Sequence, residues 1–398
     1  MTNDEFTLTA RWVFPVTAVP LERGLVTVRG DRIAAVEPHG TRTADVDLGD
    51  VAILPGFVNA HTHLDLTGSR GKTPPTPDFV SWLRQVIAFR RQRSPDETAA
   101  DIATGVTECL QAGTTLVGDI AAAGASWDEL AYAPLRAVIF HELLGLPEAR
   151  ARRAWSDALA WTPAATPTCR RGLSPHAPYS AHGLLFGGAL LSGLPSAMHL
   201  AESQAELELL RSHSGPFVAF LQELGVWDAA GLIESPETIL RWKVDSQPKL
   251  YVHCNYFSQG VPFLPKHSVI YCPRTHAAFG HAPHPFREFL ARGVRVALGT
   301  DSLASNPDLS VLAEARFLHT RYADFAGDVL LRLATLNGAE ALGWADETGW
   351  LDVGKSADFA VVALPKRDAA DPHELLFESD LPAVATWFRG CQVYPQSR

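Results

Sequence analysis

Residues 55–65 read PGFVNAHTHLD, and the reading of this stretch decides the fold. Ile53 and Leu54 close a short apolar run before it, Pro55-Gly56 breaks the run, and His61 and His63 follow two positions apart. At the end of an extended strand, residues i and i+2 point to the same side, so both imidazoles can face one ion. Histidine is a common ligand of zinc and similar divalent ions, and such a site needs about three or four converging groups. An HxH pair alone is also what a surface accident looks like. Its meaning depends on partners further along the chain.

Outward from this stretch, apolar runs alternate with amphipathic ones. The candidate strands are ILPGFVNAHTH, then 114–120, 136–143, 170–176, 196–202, 249–255, 267–273 and 294–301. Helical patterns fall at 77–92, 97–112, 147–161, 203–224 and 309–322, and LRLATLNGAEALG at 331–343 reads as a final helix. Strands separated by helices predict parallel pairing through crossovers. The simplest closed α/β form is a (β/α)8 TIM barrel. An open doubly wound sheet fits less well, because no GxGxxG turn follows the first strand and polar residues end nearly every strand rather than one switch point. FTLTARWVFP, GLVTVRGDRIAAVEP and VAIL before the barrel read as short strands, with Val26, Val28, Ile33 and Val36 as a small core. GWLDVGKSADFAVVAL and ATWFRGCQVYP return to strands near the other end. The expected division is a barrel over 55–344 and a small β-sandwich-like domain built from 1–54 and 345–398.

Composition narrows the function. The chain has 398 residues, of which 46% are hydrophobic, enough for a large core. The net charge of −10 and the lack of a long Lys/Arg run argue against nucleic-acid binding. No signal-like segment and no apolar stretch of about 18 residues is present, so neither secretion nor a membrane span is expected. Cys109, Cys169, Cys254, Cys272 and Cys391 are odd in number and without CxxC, which reads as reduced thiols in a cytoplasmic protein. The missing PCxxC excludes the His/Cys/Cys zinc arrangement of cytidine-type deaminases.

In a (β/α)8 barrel, catalytic groups lie at the carboxyl ends of the strands. His61 and His63 end the first candidate strand, His176 the fourth, His199 and Glu202 the fifth, His253 the sixth and Asp301 the eighth. So many ligand and acid–base types at strand ends make chance a poor explanation. His141 and Glu142 read as groups that orient neighbours, with Glu142 also a substrate-binding candidate. His213, His284 and His319 read as surface or loop histidines, and Asp65 and Asp119 as capping or supporting groups.

PGFVNAHTH, HLAE, HCN and LGTDS, in this order and spacing, resemble the metal-dependent deaminase and chlorohydrolase branch of the amidohydrolase superfamily over essentially the whole chain. The resemblance implies one divalent ion, Zn2+ first with Fe2+ or Mn2+ as alternatives, held by His61, His63, His199 and Asp301. The fourth strand lacks the Lys that binuclear members carboxylate, hence one ion. It implies that Asp301 takes a proton from the attacking water, that His253 holds that water, and that Glu202 protonates a ring nitrogen. His176 resembles the histidine that contacts base or sugar in adenosine-type deaminases. The implied partner is a small-molecule nucleoside, and homo-oligomerisation stays open.

Deaminases of methylthioadenosine and S-adenosylhomocysteine carry a Glu about nine residues after a Trp. Here Trp82 is followed by Arg90 and Arg91 instead. CPRTHAAFGHAPHPF at 272–286 looks like the aminodeoxyfutalosine deaminases of the alternative menaquinone pathway. Their benzoate-ended substrate would suit a guanidinium, with Arg84, Arg90, Arg91 and Arg274 as candidates. The first reading is therefore deamination of 6-amino-6-deoxyfutalosine. The alternatives are an adenosine, methylthioadenosine or S-adenosylhomocysteine deaminase, a triazine hydrolase, and a non-catalytic scaffold.

Overall fold

The computed structural model describes residues 5–257, 260 and 262–395. One sheet contains Phe57–Thr62, Thr114–Ala122, Arg136–Leu143, Cys169–Pro175, Ser196–Leu200, Lys249–His253, His267–Tyr271 and Arg295–Leu298, each beside its neighbour in sequence. Every ladder in it is parallel. Strands such as Arg136–Leu143 are buried along their whole length, as parallel strands covered on both faces must be.

The sheet closes through the segment after its last strand. The backbone N–H groups of Thr300 and Asp301 both donate to the His61 carbonyl at 3.1 Å. The Asn59 side chain accepts from Thr300 N at 3.1 Å and donates to Thr300 Oγ1 at 2.8 Å. Only glycine fits at 299, where a Cβ would lie 2.9 Å from both the Cβ and the carbonyl oxygen of His61. The seam therefore carries His61 on one side and Asp301 on the other. This is the expected (β/α)8 architecture.

The helices follow from local signals. Ser94 caps Pro95–Gln111, its hydroxyl accepting from Glu97 N while the Glu97 carboxylate accepts from Ser94 N. Pro95, at the first helical position, gives up an amide that has no partner there anyway. Ile102, Val106 and Cys109 of this helix pack with Val117 and Ile139 of the barrel strands. Each large side chain so buried stabilises by about 1.5–3 kcal/mol.

Three stretches differ from their sequence reading. ILPGFVNAHTH is not one strand. Val51–Pro55 pairs with Phe359–Ala363 in another sheet, and Phe57–Thr62 opens the barrel. The chain switches sheets at Gly56, where a Cβ would fall 2.0 Å from Thr115 Oγ1. The 203–224 pattern is two helices, Gln204–Ser212 and Pro216–Glu223, parted by left-handed His213 (φ 52°) and by Gly215 (φ 88°). The 331–343 pattern is also two, Gly327–Ala334 and Leu336–Ala341, broken at Thr335 (φ −135°, ψ −90°).

Both ends of the chain contribute to a six-stranded sheet, in the order Cys391–Tyr394, Ala383–Phe388, Phe359–Ala363, Val51–Pro55, Trp12–Val13, Leu21–Glu22. A four-stranded sheet runs Arg32–Glu37, Leu25–Arg29, Glu5–Thr9, Val46–Asp47. Leu8, Val26, Val28, Ile33, Ile53 and Phe359 form a shared core, while Val36 is only partly buried. A buried ion pair, Arg136 Nε to Asp358 Oδ2 at 3.1 Å, joins a barrel strand to the segment leading into Phe359–Ala363. Removing one partner of such a pair would strand a buried charge.

Candidate active site

The carboxyl ends of the barrel strands converge on five buried side chains: His61, His63, His199, His253 and Asp301. His61 and His63 face inward together, their ring centroids 4.9 Å apart. His199 lies 5.0 Å from the His61 ring and 5.1 Å from that of His253. Asp301 Oδ1 lies 3.5 Å from His61 Nε2 and 3.6 Å from His63 Nε2.

Two of these groups hold unusual backbone. His253 (φ 68°) and Asp301 (φ 61°) are left-handed, a strain of order 1–3 kcal/mol that neighbours must hold in place. The His253 carbonyl accepts from His284 Nε2 at 2.6 Å. The Asp301 carbonyl accepts from the hydroxyls of Thr62 and Thr300, and its carboxylate Oδ2 accepts from Ser305 Oγ at 2.9 Å.

Burial sets the protonation states. It lowers His63 and His199 well below the ordinary histidine value, helped by neighbouring imidazoles, and takes His253 down to about 3. Burial alone would raise the Asp301 carboxyl, but His61, His253 and His63 hold it far below the usual carboxylate range. Burial, then the charges of Asp301 and Glu206, push Glu202 well above it. The shifts thus favour the neutral form of His63, His199 and His253 and the ionised form of Asp301, beside a Glu202 carboxyl displaced toward its protonated form.

This donor set fits a divalent ion. His61, His63 and Asp301 offer ligand atoms all within 4.8 Å of one another, and so do His61, His199 and His253. Both ring nitrogens of His61, and Nε2 of His199, are buried without a hydrogen-bond partner. Imidazole nitrogens left unpartnered beside a carboxylate suit zinc and its neighbours. The expected set of His61, His63, His199 and Asp301 is brought together, and His253 belongs to the same cluster.

Glu202 follows His199 on the turn out of its strand. Its Oε1 is 3.3 Å from His253 Nε2, and its Oε2 is 3.6 Å from His199 Nδ1. The Glu202 backbone is pinned from both sides, its N–H donating to Glu206 and its carbonyl accepting from Asn255 Nδ2 at 2.9 Å. His63, His176, His199, Glu202, Asp301 and Tyr179 line an inner pocket of about 50 Å3. Leu83, Val86, Arg90, His176 and Tyr179 are shared with an outer cavity of about 390 Å3, which also reaches Glu142, Arg91 and Arg150. Helix Phe79–Gln92 forms one wall through Leu83, Val86, Ile87 and Arg90, which lie on one helical face. The indole of Trp82 anchors that helix, donating to the carbonyls of Thr73 and Ala304. A separate cavity of about 420 Å3, lined by Cys169, Arg170, Pro195 and Pro248, touches none of these residues.

Several sequence expectations change. Arg274 does not line either cavity: it is locked onto Glu314 (2.7 Å) and Asp308 (2.6 Å) and is unavailable to a substrate. Arg84 pairs with Glu223. Arg90 pairs with Asp65 and Glu142 and approaches His63 Nδ1 at 3.5 Å. Arg91 alone of the four arginines is at the cavity without such a carboxylate among the described residues. His284 is a buried support of His253 rather than a surface residue, stacked 3.8 Å from the Tyr271 ring. Asp119 accepts from Leu64 N and Ser126 Oγ, fixing the turn after the HxH pair. Ser305, Tyr179 and Arg150 were not singled out by sequence. Their spacing to Asp301, His176 and Glu142 was the only local signal. All five cysteines are free, and no described helix is long and apolar enough to cross a membrane.

The amidohydrolase family model matches residues 52–395. A 5-methylthioadenosine/S-adenosylhomocysteine deaminase of Moorella thermoacetica is 30% identical over 396 residues, covering 91% of this chain and 86% of that protein. An aminodeoxyfutalosine deaminase of Nitratiruptor is 28% identical, covering 79% of each. Among solved structures, a zinc-bound adenosine deaminase of Xanthomonas campestris superposes with TM-score 0.76 at 25% identity, over 97% of this chain and 92% of that one. Helicobacter pylori aminofutalosine deaminase with methylthio-coformycin superposes with TM-score 0.82 at 22% identity, over 98% and 100%. The chain belongs to the amidohydrolase family. Within it, the chain is an enzyme of the hydrolytic deaminase kind.

Proposed function

We propose that the enzyme removes the 6-amino group of a 6-aminopurine nucleoside, and that this nucleoside is 6-amino-6-deoxyfutalosine, giving futalosine and ammonia. The observation that carries the substrate is the outer cavity. Leu83, Val86, Ile87, Phe220 and Leu221 give it an apolar wall, and Arg91 and Arg150 line it with no carboxylate paired to either among the described residues. An apolar ring ending in a carboxylate matches that wall and those guanidiniums, which pair with carboxylates in bidentate fashion.

His61, His63, His199 and Asp301 would hold the ion, with His253 beside it. Such an ion supplies Lewis acidity that brings a water pKa to about 7. Asp301 receives the proton of the attacking water at Oδ1, while Ser305 keeps Oδ2 oriented. His253, whose Nε2 lies 3.0 Å from His199 Nδ1 and 3.3 Å from Glu202 Oε1, would hold that water beside the acid. Glu202 gives its proton to the ring nitrogen next to C6, so charge does not build on the ring as the C–O bond forms. A positioned acid contributes about 10²–10⁴ in rate. The proton held by Asp301 then passes to the 6-amino group, the C–N bond breaks and ammonia leaves, the proton of the added hydroxyl returns to Glu202, and the ring keeps the oxygen as its C6 carbonyl.

The apolar wall also suits a 5′-methylthio group, so the test compares ammonia release from 6-amino-6-deoxyfutalosine, adenosine, 5′-methylthioadenosine and S-adenosylhomocysteine by zinc-loaded enzyme. The highest kcat/KM on the first is expected. Preference for another overturns the substrate and leaves the deaminase chemistry. No ammonia from any overturns the nucleoside reading.

A further inference from the structure

Glu142 belongs to the third barrel strand, and its side chain is almost wholly buried. Its two oxygens stand in different surroundings. Oε2 accepts from Arg90 Nη1 at 3.2 Å. Oε1 is buried with no hydrogen-bond partner among the described residues. His176 Nε2 is 3.9 Å away, beyond hydrogen-bonding distance, and the other ring nitrogen of His176 is engaged with Ser180 Oγ at 2.7 Å. A buried carboxylate oxygen without a donor is unfavourable, so the site calls for a donor from whatever fills the cavity.

The order of residues along the cavity says which part of a nucleoside arrives there. Glu202 and His199 line only the inner pocket, His176 lines both spaces, and Glu142 lines only the outer one. The C6 edge of a purine must reach Glu202. Its N9 edge, on the other side of the ring system, then points outward past His176, and the sugar follows. At Oε1 itself an anionic group would be repelled by Glu142, and a cationic one by Arg90, which pairs with the same carboxylate. A neutral hydroxyl donor fits both. Arg90 is itself anchored by Asp65 at 3.0 Å, so Glu142 is held in one place before substrate arrives.

We infer that Glu142 Oε1 accepts a hydrogen bond from a ribose hydroxyl, making Glu142 the residue that selects ribonucleosides over deoxynucleosides, with Arg90 as its positioning residue. This rests on the nucleoside reading above and adds to it the part of the substrate that is recognised.

The test measures kcat/KM of the zinc-loaded enzyme on adenosine, 2′-deoxyadenosine and 3′-deoxyadenosine, for the wild type and Glu142→Ala. The wild type should lose roughly 10- to 100-fold on at least one deoxy substrate, the range for a hydrogen bond to a charged group. In Glu142→Ala that ratio should fall to within about 3-fold, chiefly through KM. A merely structural role would lower all three substrates together and leave the ratio intact, which overturns the inference. So does a wild type that treats ribo and deoxy forms alike. If Glu142→Ala does not fold or hold zinc, Glu142→Gln keeps an acceptor for Arg90, and the same fall in ratio is required of it. Absence of ammonia from any ribonucleoside would instead refute the nucleoside reading itself.

Discussion

Replacing Gly299 by alanine would separate a seam that merely closes the barrel from one that also sets the site. The added Cβ would lie 2.9 Å from the Cβ and carbonyl oxygen of His61 and 3.0 Å from its nitrogen. Ordinary carbon contacts begin at about 3.5 Å, so strand and loop must part by roughly 0.5–1 Å. Two of the three opposing atoms are backbone and cannot swing aside. Overpacking of this kind costs about 1–3 kcal/mol. The displaced residue is a candidate metal ligand, and a misplacement near 1 Å can cost about 10²-fold in rate. Gly187 is the control: it lies within helix Gly183–Leu191, and a Cβ there meets nothing within 4 Å. Gly187→Ala should therefore stabilise by up to about 1 kcal/mol and leave turnover alone. Urea unfolding, zinc stoichiometry and kcat/KM on the best nucleoside decide the matter. A Gly299→Ala enzyme with wild-type stability, zinc content and turnover would refute the claim that the His61–Gly299 contact sets the site.

Two further outcomes follow from the site. Glu202→Gln should keep its zinc and lose about 10²–10⁴ of kcat, measured as ammonia release beside metal analysis; loss of zinc would show Glu202 to be a ligand instead. Burial raises the Asp119 carboxyl from 3.8 to about 7, against hydrogen bonds from Ser126 and Leu64, with Asp65 and Arg90 as its charged neighbours. Between about pH 4 and 7 the folded state keeps a proton that the unfolded chain has released, so this group's stabilisation, full at low pH, is lost as pH rises through 7. Asp119→Asn should flatten that decline in urea midpoints taken at pH 4.5 and 7.5, and an unchanged slope would exclude Asp119 as its source.

The parts legible in the sequence are those written locally. Alternating apolar runs and helical stretches mark the barrel, and the histidines and carboxylates at strand ends mark the site, because strand periodicity and the barrel's polarity together dictate where such residues point. His61, His63, His199, Glu202, His253 and Asp301 were all visible in this way, and all meet. The local pattern misled where a break depends on distant packing. Gly56 divides an apolar run between two sheets because Thr115 leaves no room for a side chain, and Thr335 divides a helical pattern in two. Partner choice was beyond the sequence. Arg274 and Arg91 look alike as basic residues in polar stretches, yet Glu314 and Asp308 claim the first, while the second faces the cavity without a carboxylate. His284 reads as a loop histidine but is buried under Tyr271 and braces the left-handed His253. Sequence alone thus determined the fold class and the side chains that meet at the carboxyl ends of the barrel strands. Only the tertiary structure decided which charges are spent on internal pairs and which remain for a ligand. Those pairs join residues tens to hundreds of positions apart, and they exist only once barrel closure brings them within a few ångströms.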